Sequence, residues 1–328
     1  MRFGAIIALL AGLALVCFLV LHVGIRPVFG AVARVGWSGF AIIVLSWFAV
    51  TVLLGTAFYT LLSDRAHWWV FVAARQLRDS AGDVLPFTQF GGIVIGARAV
   101  ILGRVSPPVA FAGAMVDVTA DLVAQIAFMA LGLMLGIAQL RANAVMVPYV
   151  DGLFLGTALL IPGVIAFVVL QRGGSLMAKK LLGHFLPATV SHTEAFAKAL
   201  NGLYKKHLRL AFSTILHLLG WIVSGVWLWV VFRLLGAHID VFSAIAIQSL
   251  LEALRSATAF VPSSIGIQEA GYAALAPIFG VGPEVGLAVS LLRRARDIVI
   301  GIPVLLAWQI VESRRAVIFE KDRQAGRR

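Results

Sequence analysis

Charged side chains are scarce in this sequence. Only 13% of the 328 residues are Asp, Glu, Lys or Arg, and 61% are hydrophobic. Because a soluble globular protein has about 25% charged residues, this composition excludes an ordinary soluble fold. In lipid, only α-helices and closed β-barrels satisfy every backbone polar group. The apolar runs are long and do not alternate, so the sequence predicts an all-α polytopic membrane protein, with residues 1–328 as a single integral membrane domain.

Residues for cofactor chemistry are scarce as well. The single cysteine, Cys17, excludes an intrachain disulfide and a cysteine-based metal cluster. The sequence has no P-loop, no His/Cys metal spacing and no nucleophile elbow. We therefore expect no cofactor, no metal and no enzymatic activity. A membrane-embedded enzyme stays open as a minor alternative, since carboxylates are present at Glu252, Glu269 and Asp121.

The net charge of +12 reflects membrane topology better than nucleic-acid binding, because Lys and Arg stand at the ends of apolar runs. Six runs reach the length of about 20 residues that a spanning helix needs: 4–25, 38–62, 107–138, 150–171, 208–234 and 283–312. The basic segments 172–209 and 313–328 are predicted to be a cytoplasmic loop and tail. Both termini are then cytoplasmic, and we expect a bacterial inner-membrane location.

Two further apolar stretches, 67–104 and 239–280, are interrupted by Pro, Gly and charged residues. The alternation of spans makes the first begin and end on the inner face, and the second on the outer face. Each is therefore predicted to be a hairpin, either re-entrant or fully spanning.

The two hairpins resemble each other in sequence. Leu77-Arg78-Asp79-Ser80-Ala81 precedes Pro86, and Leu254-Arg255-Ser256-Ala257 precedes Pro262. A proline starts the next span in each half, and an aspartate follows fourteen positions later: Pro107 with Asp121, and Pro283 with Asp297. This pattern predicts an inverted repeat whose broken helices meet near the midplane around a site.

Charged residues inside the spans are functional candidates, because each costs about 2.5–3.5 kcal/mol at the bilayer centre. Asp117 and Asp121 share one helical face, as do Arg293 and Asp297. These residues either pair across helices and staple the bundle, or line a polar cavity. In such a cavity arginines would hold a phosphate or other anionic head group, and aspartates would carry protons. The isolated His217 is predicted to be a packing residue.

Two motifs resemble a known family. The stretch Phe260-Val261-Pro262-Ser263-Ser264-Ile265-Gly266-Ile267-Gln268-Glu269-Ala270 is similar to the hallmark of the lysylphosphatidylglycerol synthase transmembrane (flippase-like) family. Leu85-Pro86-Phe87-Thr88-Gln89-Phe90-Gly91-Gly92, followed by Gly96-Ala97-Arg98-Ala99, resembles the first conserved region of that family. The resemblance covers roughly residues 10–315 and is strongest to hopanoid-biosynthesis-associated membrane proteins of the HpnL type. Many relatives have Gly-Gly where this chain has Ser263-Ser264.

The resemblance implies lipid binding and translocation between leaflets, with a hopanoid or a phospholipid as ligand and hopanoid-biosynthesis proteins as candidate partners. Lysyl-transferring members carry a soluble catalytic domain after the membrane part, whereas this chain stops at Arg328, so aminoacyl transfer is not implied. The main hypothesis is a lipid transporter. The alternative is a non-transporting scaffold or accessory subunit for lipid-modifying enzymes.

The candidate site residues follow from the hairpins, the two motifs and the internal charges. Candidates for ion or proton coupling, or for internal pairs, are Asp117, Asp121 and Asp297. Candidates for substrate binding are Arg78, Pro86, Gln89, Arg98, Glu252, Arg255, Pro262, Ser263, Ser264, Gly266, Gln268, Glu269, Arg293 and Arg296.

Overall fold

A computed structural model describes residues 25–84, 89–142, 147–185, 187–258, 261 and 264–325. This part of the chain is α-helical and contains no strand, which confirms the all-α prediction. The predicted span 4–25 lies outside the described residues except for its last position, and so do Pro86, Pro262 and Ser263. The described helices are α1 (Ile25–Leu62), α2 (Trp68–Val84), α3 (Gln89–Leu102), α4 (Pro107–Ala142), α5 (Val147–Phe185), α6 (Pro187–Tyr204), α7 (His207–Leu234), α8 (Val241–Ala257), α9 (Ile267–Ile278) and α10 (Pro283–Ala325).

Several helix starts follow from local sequence. A proline is the first residue of α4, α6 and α10, where its fixed φ suits the helix and its missing N–H costs nothing. Asp240 caps α8 by accepting hydrogen bonds from the backbone amides of Phe242 and Ser243, both at 2.9 Å. These residues therefore set where the long helices begin.

Four described helices contain segments that are long and apolar enough to cross a membrane: Val32–Leu62, Pro107–Ala142, Val150–Gln171 and His207–Leu234. They correspond to the predicted spans 38–62, 107–138, 150–171 and 208–234. Large apolar side chains on them, such as Leu45, Leu155 and Leu219, are exposed, which is where contact with lipid is expected. The helix α10 includes the predicted span 283–312 and carries charged residues in its middle.

Each predicted hairpin segment forms two short helices that pack on each other, α2 with α3 and α8 with α9. The second helix of each pair has 14 and 12 residues. At a rise of about 1.5 Å per residue these helices are about 21 and 18 Å long, shorter than the hydrocarbon core of about 30 Å. The membrane face that each hairpin enters stays a prediction.

The helix contacts repeat between the two halves. The helix α3 packs on α4, and α9 packs on α10 in the same way. The first helix of each hairpin packs on the long helix of the other half, α2 on α10 and α8 on α4. The helices α1 and α7, which begin the two halves, pack on each other. Exchanging α1–α4 with α7–α10 therefore maps these contacts onto one another, as expected for a two-fold repeat.

The segment 172–209, predicted as a loop, is mostly helical. The helix α5 continues to Phe185, and α6 packs on α4 and α5. Leu200 and Tyr204 of α6 are buried, and the Tyr204 hydroxyl donates to Gln171 at 2.8 Å. The segment therefore contains packed helical structure, because α6 has an apolar face that the bundle covers. The cytoplasmic position of this segment stays a prediction.

Candidate functional site

A cavity of about 500 Å³ lies inside the bundle, where the first helices of both hairpins face α4, α7 and α10. Both halves contribute charged side chains to it, which is what the repeat predicts. The charged lining residues are Arg75, Arg78, Asp79, Asp83, Asp121, Glu252, Arg255 and Arg293. Among the described residues, no group of three or more His, Cys, Asp and Glu side chains is arranged to hold a metal ion.

The first charge cluster joins α2 to α4. Arg78 donates to Asp117 at 2.9 Å, and Arg75 donates to Asp121 at 3.0 Å. Arg75 also donates to Asp79 of its own helix at 2.9 Å. Asp117 and Asp121 are almost fully buried, so the arginines of α2 supply the charge that makes this burial tolerable.

His217 of α7 lies between the two aspartates of α4. Its Nε2 is 3.0 Å from Asp117, its Nδ1 is 3.4 Å from Asp121, and its side chain has no exposed surface. One turn later, the Trp221 indole donates to Asp121 at 3.0 Å. His217 is thus a buried residue with a carboxylate partner, and the sequence did not predict its contacts with the two aspartates. The signal for this contact was the i, i+4 spacing of His217 and Trp221, which matches that of Asp117 and Asp121.

The second charge cluster joins α8 to α10. Glu252 accepts hydrogen bonds from Arg255 at 3.0 Å and from Arg293 at 3.2 Å. Arg293 also donates to the Tyr272 hydroxyl at 3.1 Å, and Tyr272 donates to Gln248 at 3.1 Å. In this half the acid lies on the hairpin helix and the base on the long helix, which reverses the arrangement of the first half.

The turn before α9 depends on Gly266. Its φ of 84° belongs to a region that favours glycine, and its backbone amide donates to Glu269 at 2.8 Å. Ser264 has a φ of 47°, also in the left-handed region. Glycine would adopt this φ with less strain than serine. The serine keeps a weak contact instead, as Arg255 donates to its hydroxyl at 3.4 Å.

Glu269 and Gln268 are buried in a polar network between α9 and α10. Ser290 accepts from Gln268 at 3.0 Å and donates to Glu269 at 3.2 Å. Arg294 forms an ion pair with Glu269. The structure therefore places these two candidates in the wall that holds α9 against α10, and not in the lining of the charged cavity.

Several other candidates also lie away from the cavity lining. Arg98 lies on the exposed side of α3 and pairs with Glu312 at 2.8 Å. The guanidinium of Arg296 lies 3.6 Å from the ring centre of Trp47 and 4.4 Å from that of Trp227. The two aromatic faces enclose this cation, and Asp297 pairs with it. The backbone of Gln89 begins α3, and its side chain is not described.

A second cavity of about 470 Å³ adjoins the first one on the side of α5. Both cavities are lined by Gln125, Phe167, Glu252 and Arg255. The second cavity is also lined by Leu160, Gly163 and Val164 of α5. Neighbouring side chains of α5 are exposed and apolar, so the charged interior meets an apolar side opening next to α5.

Comparison with known families gives one match, to the family described as Lysylphosphatidylglycerol synthase TM region, over residues 5–304. The chain belongs to this family. The match confirms the family seen in the two motifs, and it links this membrane protein of the lysylphosphatidylglycerol synthase TM region family to lipid handling. The hopanoid-associated subtype stays a prediction. No curated protein and no solved structure matches this chain.

Proposed function

We propose that this protein is a lipid transporter of the flippase type, which moves the polar head group of a membrane lipid between leaflets through its interior. The observation that carries the proposal is that the two cavities adjoin at Glu252 and Arg255, which line both. A lipid needs a polar recess for its head group and an apolar opening for its chains. The charged cavity and the opening beside α5 supply these two environments next to each other.

Arg78 and Arg255 are the residues that we expect to bind the head group. They stand at corresponding positions in the two hairpins, and their side chains are 21% and 20% exposed, whereas Arg75 and Arg293 are 6% and 7% exposed. The guanidinium group matches a phosphate with two parallel hydrogen bonds. The substrate is therefore a lipid with a phosphate or another anionic head group, either a phospholipid or a polar hopanoid derivative.

The transport cycle needs no covalent chemistry on the lipid, so we propose that the protein is not an enzyme. The internal ion pairs Arg75–Asp121 and Glu252–Arg293 each hold a hairpin to the long helix of its own half. An anionic head group that engages Arg78 and Arg255 competes with Asp117 and Glu252 for those arginines. Exchange between these partners gives the head group a path along the cavity, in the inner membrane of a bacterium.

Lipid scrambling by purified protein in liposomes tests this proposal. Fluorescent phosphatidylglycerol in the inner leaflet becomes accessible to a membrane-impermeant quencher only after it crosses. We expect Gly163→Trp to reduce crossing to the rate of empty liposomes, since a side chain there enters the side opening. The matched control is Gly156→Trp on the same face of α5, where a side chain also meets no atom, and it keeps the parental rate.

Two results would oppose transport. One is a parental rate equal to that of empty liposomes, for the phospholipid and for a labelled polar hopanoid. The other is normal crossing in Gly163→Trp and in the double variant Arg78→Gln/Arg255→Gln. Specific co-purification of a lipid-modifying enzyme with a protein that transports nothing would favour the accessory-subunit hypothesis instead.

A further inference from the structure

His217 is a buried titratable group that the proposed lipid path does not use. Both of its ring nitrogens face carboxylate oxygens, Asp117 at 3.0 Å and Asp121 at 3.4 Å. The Nδ1 atom makes no hydrogen bond in the described structure. A neutral imidazole has one N–H group and can donate to only one of the two carboxylates. An imidazolium has two N–H groups and could donate to both.

The charges around His217 differ by one from neutrality. The cluster contains two cations, Arg75 and Arg78, and three carboxylates, Asp79, Asp117 and Asp121. With a neutral imidazole the sum is −1, and with an imidazolium it is zero. Because an uncompensated charge is costly in a low-dielectric interior, the cluster has a physical reason to take up one proton.

The other helices that pack on α7 do not remove this imbalance. From α1, the Ala57 carbonyl accepts from Ser213 at 2.9 Å, and Arg34 lies on the exposed side. The described charges of α6, Glu194 and Lys198, have opposite signs. The charges of α8, α9 and α10 are engaged in their own ion pairs: Glu252 with Arg255 and Arg293, Glu269 with Arg294, and Asp297 with Arg296. Asp83 of α2 faces Asp79 and Asp297 as well as Arg255 and Arg296.

We propose that His217, held between Asp117 and Asp121, is a proton-binding site, and that its proton is coupled to binding of the anionic head group. Asp117 offers one oxygen to His217 and the other to Arg78. Arg78 donates to both Asp117 and Asp121. When His217 carries the extra proton, it compensates charge on both carboxylates, and the partly exposed Arg78 can turn to the cavity. The proton comes from water through the cavity that Asp121 lines. The coupling rests on the proposed transport function, whereas proton binding does not.

The test is a pH titration of ¹⁵N-histidine-labelled protein in lipid nanodiscs, followed by NMR. The signal missing in His217→Gln identifies this residue, and His217→Asn serves the same purpose if the first variant does not fold. We expect the ¹⁵N signals of the His217 ring to change with pH as the second nitrogen gains or loses its proton. We expect the midpoint of this change to rise when phosphatidylcholine is replaced by phosphatidylglycerol. Anionic lipid also changes the pH at the membrane surface, and the exposed His207 on the same helix reports that change. Binding of the head group predicts that the midpoint of His217 rises by more than the midpoint of His207.

The outcomes separate the proton site from transport. A His217 signal that does not titrate, or whose midpoint moves only as His207 does, overturns the proposal even if lipid crossing is observed. The rate of lipid crossing measured against pH is a second readout. The same pH dependence in the parent and in His217→Gln also overturns the proposal. A pH dependence that is lost in His217→Gln and kept in His207→Gln supports it. In a further outcome, the His217 signal changes with pH and responds to phosphatidylglycerol while no lipid crosses the membrane. That result supports the proton site and counts against transport.

Discussion

Glu252 of α8 accepts a hydrogen bond from Arg293 of α10 at 3.2 Å. The corresponding residues of the first half, Arg75 and Asp117, lie 4.0 Å apart with their charges exchanged. Glu252 follows Arg75 by 177 positions, as Arg255 follows Arg78, and Arg293 follows Asp117 by 176, as Asp297 follows Asp121. Both halves thus tie the hairpin to their own long helix with opposite charges. The acidic and basic residues can trade places between the hairpin and the long helix because each pair stays neutral in either arrangement.

Loss of the Glu252 carboxylate should destabilise the protein more than loss of an exposed carboxylate. In Glu252→Gln two nearby arginines lose their counter-charge, and breaking a buried pair costs about 3–5 kcal/mol. In the control, Glu312→Gln, the lost pair with Arg98 is partly exposed and is worth about 0–1 kcal/mol. Thermal unfolding in detergent, followed by tryptophan fluorescence, measures both variants. Equal unfolding midpoints for the two variants would contradict a structural role of the Glu252 pairs.

Close packing of α4 on α8 depends on Gly132. A Cβ atom added there would overlap the Ser249 side chain, with both its Oγ and its Cβ. Because these two helices join the halves, Gly132→Ala should lower the yield of folded protein and its unfolding midpoint. Overpacking of this kind costs about 1–3 kcal/mol. Removing the opposing side chain in Gly132→Ala/Ser249→Gly should restore much of the loss, as measured by size-exclusion chromatography and thermal unfolding. A double variant as impaired as the single one would rule out this contact as the cause.

The turn before α9 should not tolerate a side chain at residue 266. Gly266→Ala places an L-residue at positive φ, which costs about 1–2 kcal/mol. Gly156→Ala is the control, since this glycine is helical and a Cβ atom meets nothing there. The control should be neutral or stabilising by about 0.5–1 kcal/mol. Thermal unfolding distinguishes the two, and a midpoint for Gly266→Ala at or above that of the parent would contradict the conformation of this turn.

The start of α8 should be sensitive to acid through Asp240, which lies in the connection between α7 and α8. Hydrogen bonds from the Ser243 hydroxyl and backbone amide lower the pKa of Asp240 below its ordinary value. A carboxylate with a lowered pKa contributes stability that is complete above the unfolded pKa of about 3.9 and is lost as pH falls through the folded pKa. Asp240→Ala should lose about 0.5–2 kcal/mol at neutral pH.

Unfolding midpoints measured from pH 7 down to about pH 2 cover this effect, since the stability from Asp240 is lost below its ordinary pKa of about 3.9. The difference between the parent and Asp240→Ala should shrink as pH falls through the lower part of this range. Asp240→Asn keeps a capping oxygen without the charge, so it should lie between the two and depend less on pH. A difference that stays constant with pH would show that the charge of Asp240 does not contribute to the cap.

Much of the helical framework was predictable from the sequence because a spanning helix needs little more than a long apolar run. The predicted spans 107–138 and 208–234 lie within α4 and α7. The prolines and the repeated Leu-Arg motifs also located both hairpin segments. The helices within 172–209 were not predicted, because basic residues mark a membrane boundary without showing whether the segment is helical.

The partners of the internal charges were not predictable in the same way. The sequence identified Asp117 and Asp121 as residues of interest, but the arginines and the histidine that contact them lie on α2 and α7. Arg296 was a candidate for substrate binding, and Trp47 and Trp227 enclose it. A contact across helices depends on the rotation of each helix about its axis, which the hydropathy of a nearly all-apolar helix hardly constrains.

The sequence by itself determined that this protein is a helical membrane protein, because 61% hydrophobic residues in long runs leave no soluble alternative. It also showed which few charged residues lie in the spans. Because a charge in a span is costly, those residues stand out as candidates for a function or for an internal ion pair. Only the tertiary structure decided which charges pair, which line the cavity, and that His217 joins two aspartates. Those outcomes depend on distances of about 3 Å between side chains of different helices, and helix packing alone sets such distances.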